Sequence, residues 1–186
     1  SLLHREAPER VSVDVTPRKR APLANRKARE FLRNADPVLA ELIDARPGFR
    51  PRAWMDELPA LDAFGTLVFQ VAGQQLSVAA TRAILNRLES LFGGRLPSPR
   101  EFLEVEAERV HAAGLSTRKV ATMRALAQAF VDGDLDDDAL AVASDSDIEA
   151  KLTAIPGIGP WTVNGFLLIA LDRPDAVGEL VHLPDG

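Results

Sequence analysis

The sequence predicts an all-α protein, and three observations predict it. From residue 25 onward, apolar residues recur at spacings of three and four, the period of a helix with one buried face. Helix starts punctuate those stretches, with Asp36-Pro37, Ser98-Pro99 and Ser116 ahead of apolar-periodic segments. Alternation, the mark of a half-buried strand, occurs briefly at Val11, Val13 and Val15 and forms no convincing sheet.

Residues 1–35 read as a basic N-terminal arm, irregular or with a single short strand, because Pro8, Pro17 and Pro22 oppose a helix over 1–24. The main domain is placed at 36–186. Asp36 caps a helix with Pro37 at its first position, carrying Val38, Leu39, Leu42 and Ile43. Residues 46–60 contain Pro47, Pro51 and Pro59 and read as a connection around Trp54. Leu61, Phe64, Val68 and Val71 predict a helix near 60–72, which Gly73-Gln74-Gln75 interrupts. Ser77 caps the next helix, with Ile84, Leu85, Leu88, Leu91 and Phe92 inward and Gly93-Gly94 at its end.

Ser98-Pro99 opens a short helix, and Gly114 breaks the chain after Ala113. Ser116 caps a helix with Val120, Met123, Ala127, Phe130 and Val131 inward, ending at Gly133. Asp134-Leu135-Asp136-Asp137-Asp138 lacks calcium-loop spacing and is expected to be a solvated acidic turn. Asp147 is expected to cap a helix over 148–153. Ile155 to Pro160 form a tight hairpin, and Pro160 starts a last apolar helix with Val163, Phe166, Leu167 and Ala170.

Composition narrows the chemistry. The 186 residues are 46% apolar and 26% charged, ordinary for a globular chain. With no cysteine, disulfides, thiol nucleophiles, Cys-based zinc sites and Cys-ligated iron–sulfur clusters are excluded. His4, His111 and His182 have no metal-ligand spacing, so no metal site is expected. No apolar run approaches the ~18 residues of a membrane span, and residues 1–6 show no secretory pattern. The expected location is therefore cytoplasmic, including the bacterial nucleoid, or nuclear, without secretion or a membrane partner. Net charge is −5, unevenly spread. Residues 1–36 carry nine Lys/Arg against five Asp/Glu, and residues 37–186 thirteen against twenty-two. A basic arm on an acidic body can grip a phosphate backbone locally or serve as a solvated tail.

The most informative string is Leu152-Thr153-Ala154-Ile155-Pro156-Gly157-Ile158-Gly159-Pro160-Trp161-Thr162. Two glycines one residue apart permit a turn within a few residues and a close approach to another molecule. The next helix starts there, so its unpaired N–H groups and partial positive charge suit a phosphate. Gly157, Ile158, Gly159 and Thr162 are therefore candidate nucleic-acid-backbone contacts, without sequence readout, the other reading being an ordinary helix–helix turn.

This string resembles the helix-hairpin-helix DNA glycosylases, in the alkyladenine (3-methyladenine DNA glycosylase II) branch. Two further stretches carry the resemblance. One is Val71-Ala72-Gly73-Gln74-Gln75-Leu76-Ser77-Val78-Ala79-Ala80, and the other is Gly114-Leu115-Ser116-Thr117-Arg118-Lys119-Val120 followed by Leu126-Ala127. With Asp36-Pro37 they span about residues 36–177 in the family's order. The resemblance implies two helical lobes around a cleft with the hairpin at its mouth. It implies a monomer acting on double-stranded DNA with alkylated bases, in base excision repair. It implies no cofactor beyond a structural monovalent cation at the hairpin. Gln74, Gln75 and Ser77 would face the minor groove, with Gln75 filling the gap left by a flipped base. Trp161 would wall the base pocket, where its π face meets a cationic base. In bifunctional relatives that position is a lysine, so this chain is expected to excise bases without cutting the strand. Relatives often place a second aromatic four residues on; here Gly165 stands there, which predicts a wider pocket.

The match departs from the family near its end. The family's catalytic aspartate usually stands in a Pro-x-Gly-Asp-Leu string, whereas this chain reads Gly178-Glu179-Leu180 and then Leu183-Pro184-Asp185. Glu179 can replace the aspartate, Asp185 can belong to a lengthened run, or the catalytic segment and the C-terminal helices are missing from the chain. The alternative to an enzyme is thus a catalytically deficient, glycosylase-like DNA-binding module.

Overall fold

The computed structural model describes residues 22–49 and 61–173, all helices and their connections with no strand among them. The helices are α1 (Pro22–Ala35), α2 (Pro37–Ala45), α3 (Ala63–Gly73), α4 (Val78–Ser90) and α5 (Pro99–Glu104), followed by α6 (Ala107–Ala112), α7 (Thr117–Asp132), α8 (Asp137–Val142), α9 (Asp145–Thr153) and α10 (Pro160–Ile169). The expected all-α class is what the chain adopts.

The caps explain most boundaries. Asp36 Oδ1 accepts from the Val38 and Leu39 amides at 2.7 and 3.1 Å. Asp62, Ser77, Ser116, Asp136 and Ser144 cap their helices in the same way. Ser98 and Glu101 complete a reciprocal capping box on α5. Each such cap is worth about 1 kcal/mol.

α3 is the central helix. Eight of its eleven residues are buried, and it packs against α4, α7, α8 and α10. An apolar run this complete has no polar face to give to solvent, so neighbours must surround it. Phe64 meets Phe102 and Phe130 edge-on, with ring centroids 6.2 and 5.6 Å apart. α5 and α6 pack on α7, and α9 packs on α10. α1 and α2 pair with each other, and Arg29 donates to the Ile43 carbonyl in the last turn of α2 and to the Arg46 and Phe49 carbonyls beyond it.

Several expectations are corrected. Residues 22–24, where Pro22 was expected to oppose a helix, form the first turn of α1, so the part of the arm from residue 22 onward is helical. Proline is tolerated in a first turn, and Ala, Leu, Arg and Lys behind it favour a helix. The acidic run is not simply a solvated turn. Asp136 caps α8, and half-buried Asp137 accepts from the Ala63 amide at 2.8 Å, capping α3 across the fold. Burial pushes the Asp137 carboxyl upward. α9 starts at Ser144 rather than Asp147, because a serine hydroxyl reaches the Asp147 amide. Residues 1–21, Trp54, Glu179 and Asp185 lie outside the described residues.

Candidate nucleic-acid interface

The junction between α3 and α4, residues 74–77, faces the hairpin between α9 and α10. Between them, with the first turns of α7 alongside, lies a groove of about 710 Å³. Trp161, Gln70, Gln75 and Lys119 line it, and Trp161 is 77% exposed. That exposure excludes plain core packing for the indole. A large aromatic left in the open at a concave surface is unusual enough to mark a contact site.

The junction and the hairpin are fastened to each other. Gln74 Nε2 donates to Gly157 O at 3.2 Å and to Thr162 Oγ1 at 3.0 Å. Lys119 Nζ donates to Ala72 O and Gln74 O, both at 2.8 Å. Those carbonyls belong to the last turn of α3, where helical partners run out and a cation is favoured. Burial lowers the pKa of the Lys119 ammonium. The buried Thr122 hydroxyl donates to Pro156 O at 2.8 Å. The carbonyls of Ile155, Pro156 and Gly157 thus each accept a protein hydrogen bond, so a monovalent cation there would share oxygens already engaged.

These contacts redistribute the sequence-derived assignments. Gln74 is a latch on the hairpin, because its amide is engaged inward. Thr162 and Ile158 are both buried, so neither side chain reaches the surface. Their amides are occupied too, by Gly159 O and Ile155 O. Ser77 is exposed, but its hydroxyl accepts from the Ala80 amide. Gln75 is exposed beside the groove. Its φ of 59° is left-handed, an unfavourable conformation for a residue with a Cβ.

The two hairpin glycines also separate. Gly157 has φ +93°, and a Cβ there would overlap Thr122 Oγ1. Gly159 has φ −113° and open space around it. It caps α10 without any side-chain hydrogen bond. Pro160 has no N–H, and the amides of Gly159 and Trp161 meet no acceptor among the described residues. Only Gly159 therefore keeps the open backbone approach expected of the pair.

Three residues escaped the sequence reading: Lys119, Thr122 and Gln70. Thr122 and Gln70 carry the same signal, a polar residue within an otherwise buried apolar stripe. Lys119 had no such signal, since a lysine in a first turn ordinarily faces solvent.

Residues 68–178 match the model of the HhH-GPD superfamily of base excision DNA repair proteins. The chain belongs to this superfamily. Among HhH-GPD relatives, DNA-3-methyladenine glycosylase 1 of Schizosaccharomyces pombe is 29% identical over 170 residues, covering 90% of this chain and 73% of that protein. DNA-3-methyladenine glycosylase 2 of Escherichia coli is 31% identical over 159 residues, covering 80% of this chain and 51% of that protein. The solved structure of the S. pombe 3-methyladenine DNA glycosylase in complex with abasic DNA superimposes with a TM-score of 0.72 at 30% identity. It covers 80% of this chain and 72% of the other. The chain thus spans about three quarters of the yeast relative and about half of the bacterial one.

Proposed function

We propose that this chain is a monofunctional DNA glycosylase. It flips alkylated purines such as 3-methyladenine out of duplex DNA and hydrolyses their N-glycosidic bond. The observation that carries the reading is the groove itself, with an exposed Trp161 on its wall between an uncapped helix start and a polar plug. The similarity to glycosylases named for 3-methyladenine supports the substrate class.

Each part has a physical task. The Gly159 and Trp161 amides at the head of α10 would take a phosphate oxygen, and Gln75 would occupy the space vacated by the flipped nucleotide. A ring-alkylated purine is cationic, pairs weakly and departs as a neutral base, so flipping and bond cleavage are both easier than for a normal base. The Trp161 face favours that cation. As the bond breaks, its electron pair goes to the base and the sugar becomes oxocarbenium-like. Water then attacks the sugar carbon and gives up a proton. A carboxylate stabilises the cation and takes that proton in such reactions. In this chain Glu179 and Asp185 are the candidates.

The test uses duplex DNA carrying methylated purines. The expected product is an abasic site that breaks only after alkali or heat, with no borohydride-trapped adduct, because an indole has no amine to attack the sugar. A trapped adduct would refute the monofunctional reading. Tight binding without any base release would favour the catalytically deficient binding module.

A further inference from the structure

Gln70 interrupts the apolar run of α3, one helical turn before Gln74. The two amides have different fates. Gln74 is engaged by the hairpin. The Gln70 amide has no hydrogen bond among the described residues, although it is half-buried and lines the groove. It lies over α10 at Gly165, one turn beyond Trp161. A Cβ on Gly165 would stand 2.7 Å from Gln70 Oε1 and 2.9 Å from Nε2. The space left by Gly165 is therefore filled by an amide, and the wider pocket expected there is not formed. A half-buried amide with a vacant donor and acceptor, lining the same groove as Trp161, is poised for a ligand edge.

We propose that Gln70 is a specificity-determining residue of the base pocket, hydrogen-bonding the exocyclic edge of the flipped purine stacked near Trp161. This rests on the glycosylase reading above. A carboxamide can present either end. Its oxygen accepts from the amino group of an adenine, and its NH₂ donates to the carbonyl oxygen of a guanine. At the 6-position of the ring one residue thus serves both alkylated purines, which a pure acceptor cannot do. Gly165 is the partner that gives the amide room, since any side chain there would displace it.

The experiment compares excision of 3-methyladenine and 7-methylguanine from one duplex by wild type, Gln70→Glu and Gln70→Leu. The ratio of the two rates within one preparation is independent of how much protein is folded. Gln70→Glu should keep most of the adenine activity and lose about five- to tenfold on guanine, where two oxygens would oppose each other, as expected for one hydrogen bond. Gln70→Leu should lower both rates and leave their ratio near that of wild type. Gly165→Ala should weaken both activities similarly, because its clash is with the end of a flexible side chain. An unchanged ratio in Gln70→Glu, with wild type active, would overturn the assignment of Gln70 alone. A wild type that releases neither base would overturn the glycosylase reading and this inference with it.

Discussion

The two loops that border the groove are held by opposite means. The hairpin is shaped by what is missing. Gly157 lacks a Cβ where Thr122 needs the space, and Gly159 leaves the head of α10 open. The junction is shaped by what is added. Lys119 holds the carbonyls of Ala72 and Gln74 where α3 runs into it, Gln74 ties it to the hairpin, and Gln75 stays left-handed at a cost in backbone strain. A loop built on glycine tolerates few larger residues where it packs. A loop built on hydrogen bonds tolerates shape changes but depends on each partner. In this pair Gly159, which has open space around it, and Gln75, which is exposed, both line the groove without serving the packing, so they are where function can be altered with the fold intact.

The largest effect is expected from Gly157→Val. A β-branched residue at φ +93° is strained, and its Cβ overlaps the stiff, hydrogen-bonded Thr122 side chain. We expect a loss of about 3 kcal/mol or more in urea unfolding. Gly159→Val, at φ −113° with nothing near, should cost within about 1 kcal/mol, yet weaken duplex binding. Equal stability losses at the two glycines would erase the distinction between a packing glycine and an approach glycine.

Lys119→Met comes next. It keeps the length of the stem but leaves Ala72 O and Gln74 O without their donor. Both carbonyls are at the end of α3, so the expected loss is about 1–3 kcal/mol. Amide exchange should quicken locally at residues 73–77, which the equilibrium melt alone would not reveal. A variant as stable as wild type, with unchanged exchange there, would mean the junction is held by its backbone alone.

Legibility differed between the fold and the site for a physical reason. Caps and apolar spacing are local, so Asp36, Ser77, Ser98 and Ser116 announced their helices correctly. Ser144 and Asp136 were harder, because an aspartate-rich run offers several equivalent caps and only packing chooses among them. The hairpin was visible as Gly157 and Gly159, but their different tasks were not, since Thr122 lies 35 residues away in sequence. Gln74 and Gln75 look alike in the string. One faces Gly157 and the other the groove, a difference set by the left-handed turn between them and the next helix.

Gln75→Gly should give the smallest change in stability, and its sign is the informative part. A side chain at φ 59° costs about 1–2 kcal/mol relative to glycine in the folded state. Glycine gives back part of that through the greater freedom of its unfolded chain. The net expectation is a gain of about 0.5–1 kcal/mol, read as a higher urea midpoint with an unchanged slope. Excision from duplex DNA should fall by about 5–30-fold, equivalent to about 1–2 kcal/mol of lost flipping assistance, and by less opposite a mismatch where flipping is already easier. A stabilised variant with slower excision would show strain retained for function at an exposed position. A destabilised variant with normal excision per folded molecule would make Gln75 a structural residue, and the junction would then resemble the hairpin it was contrasted with.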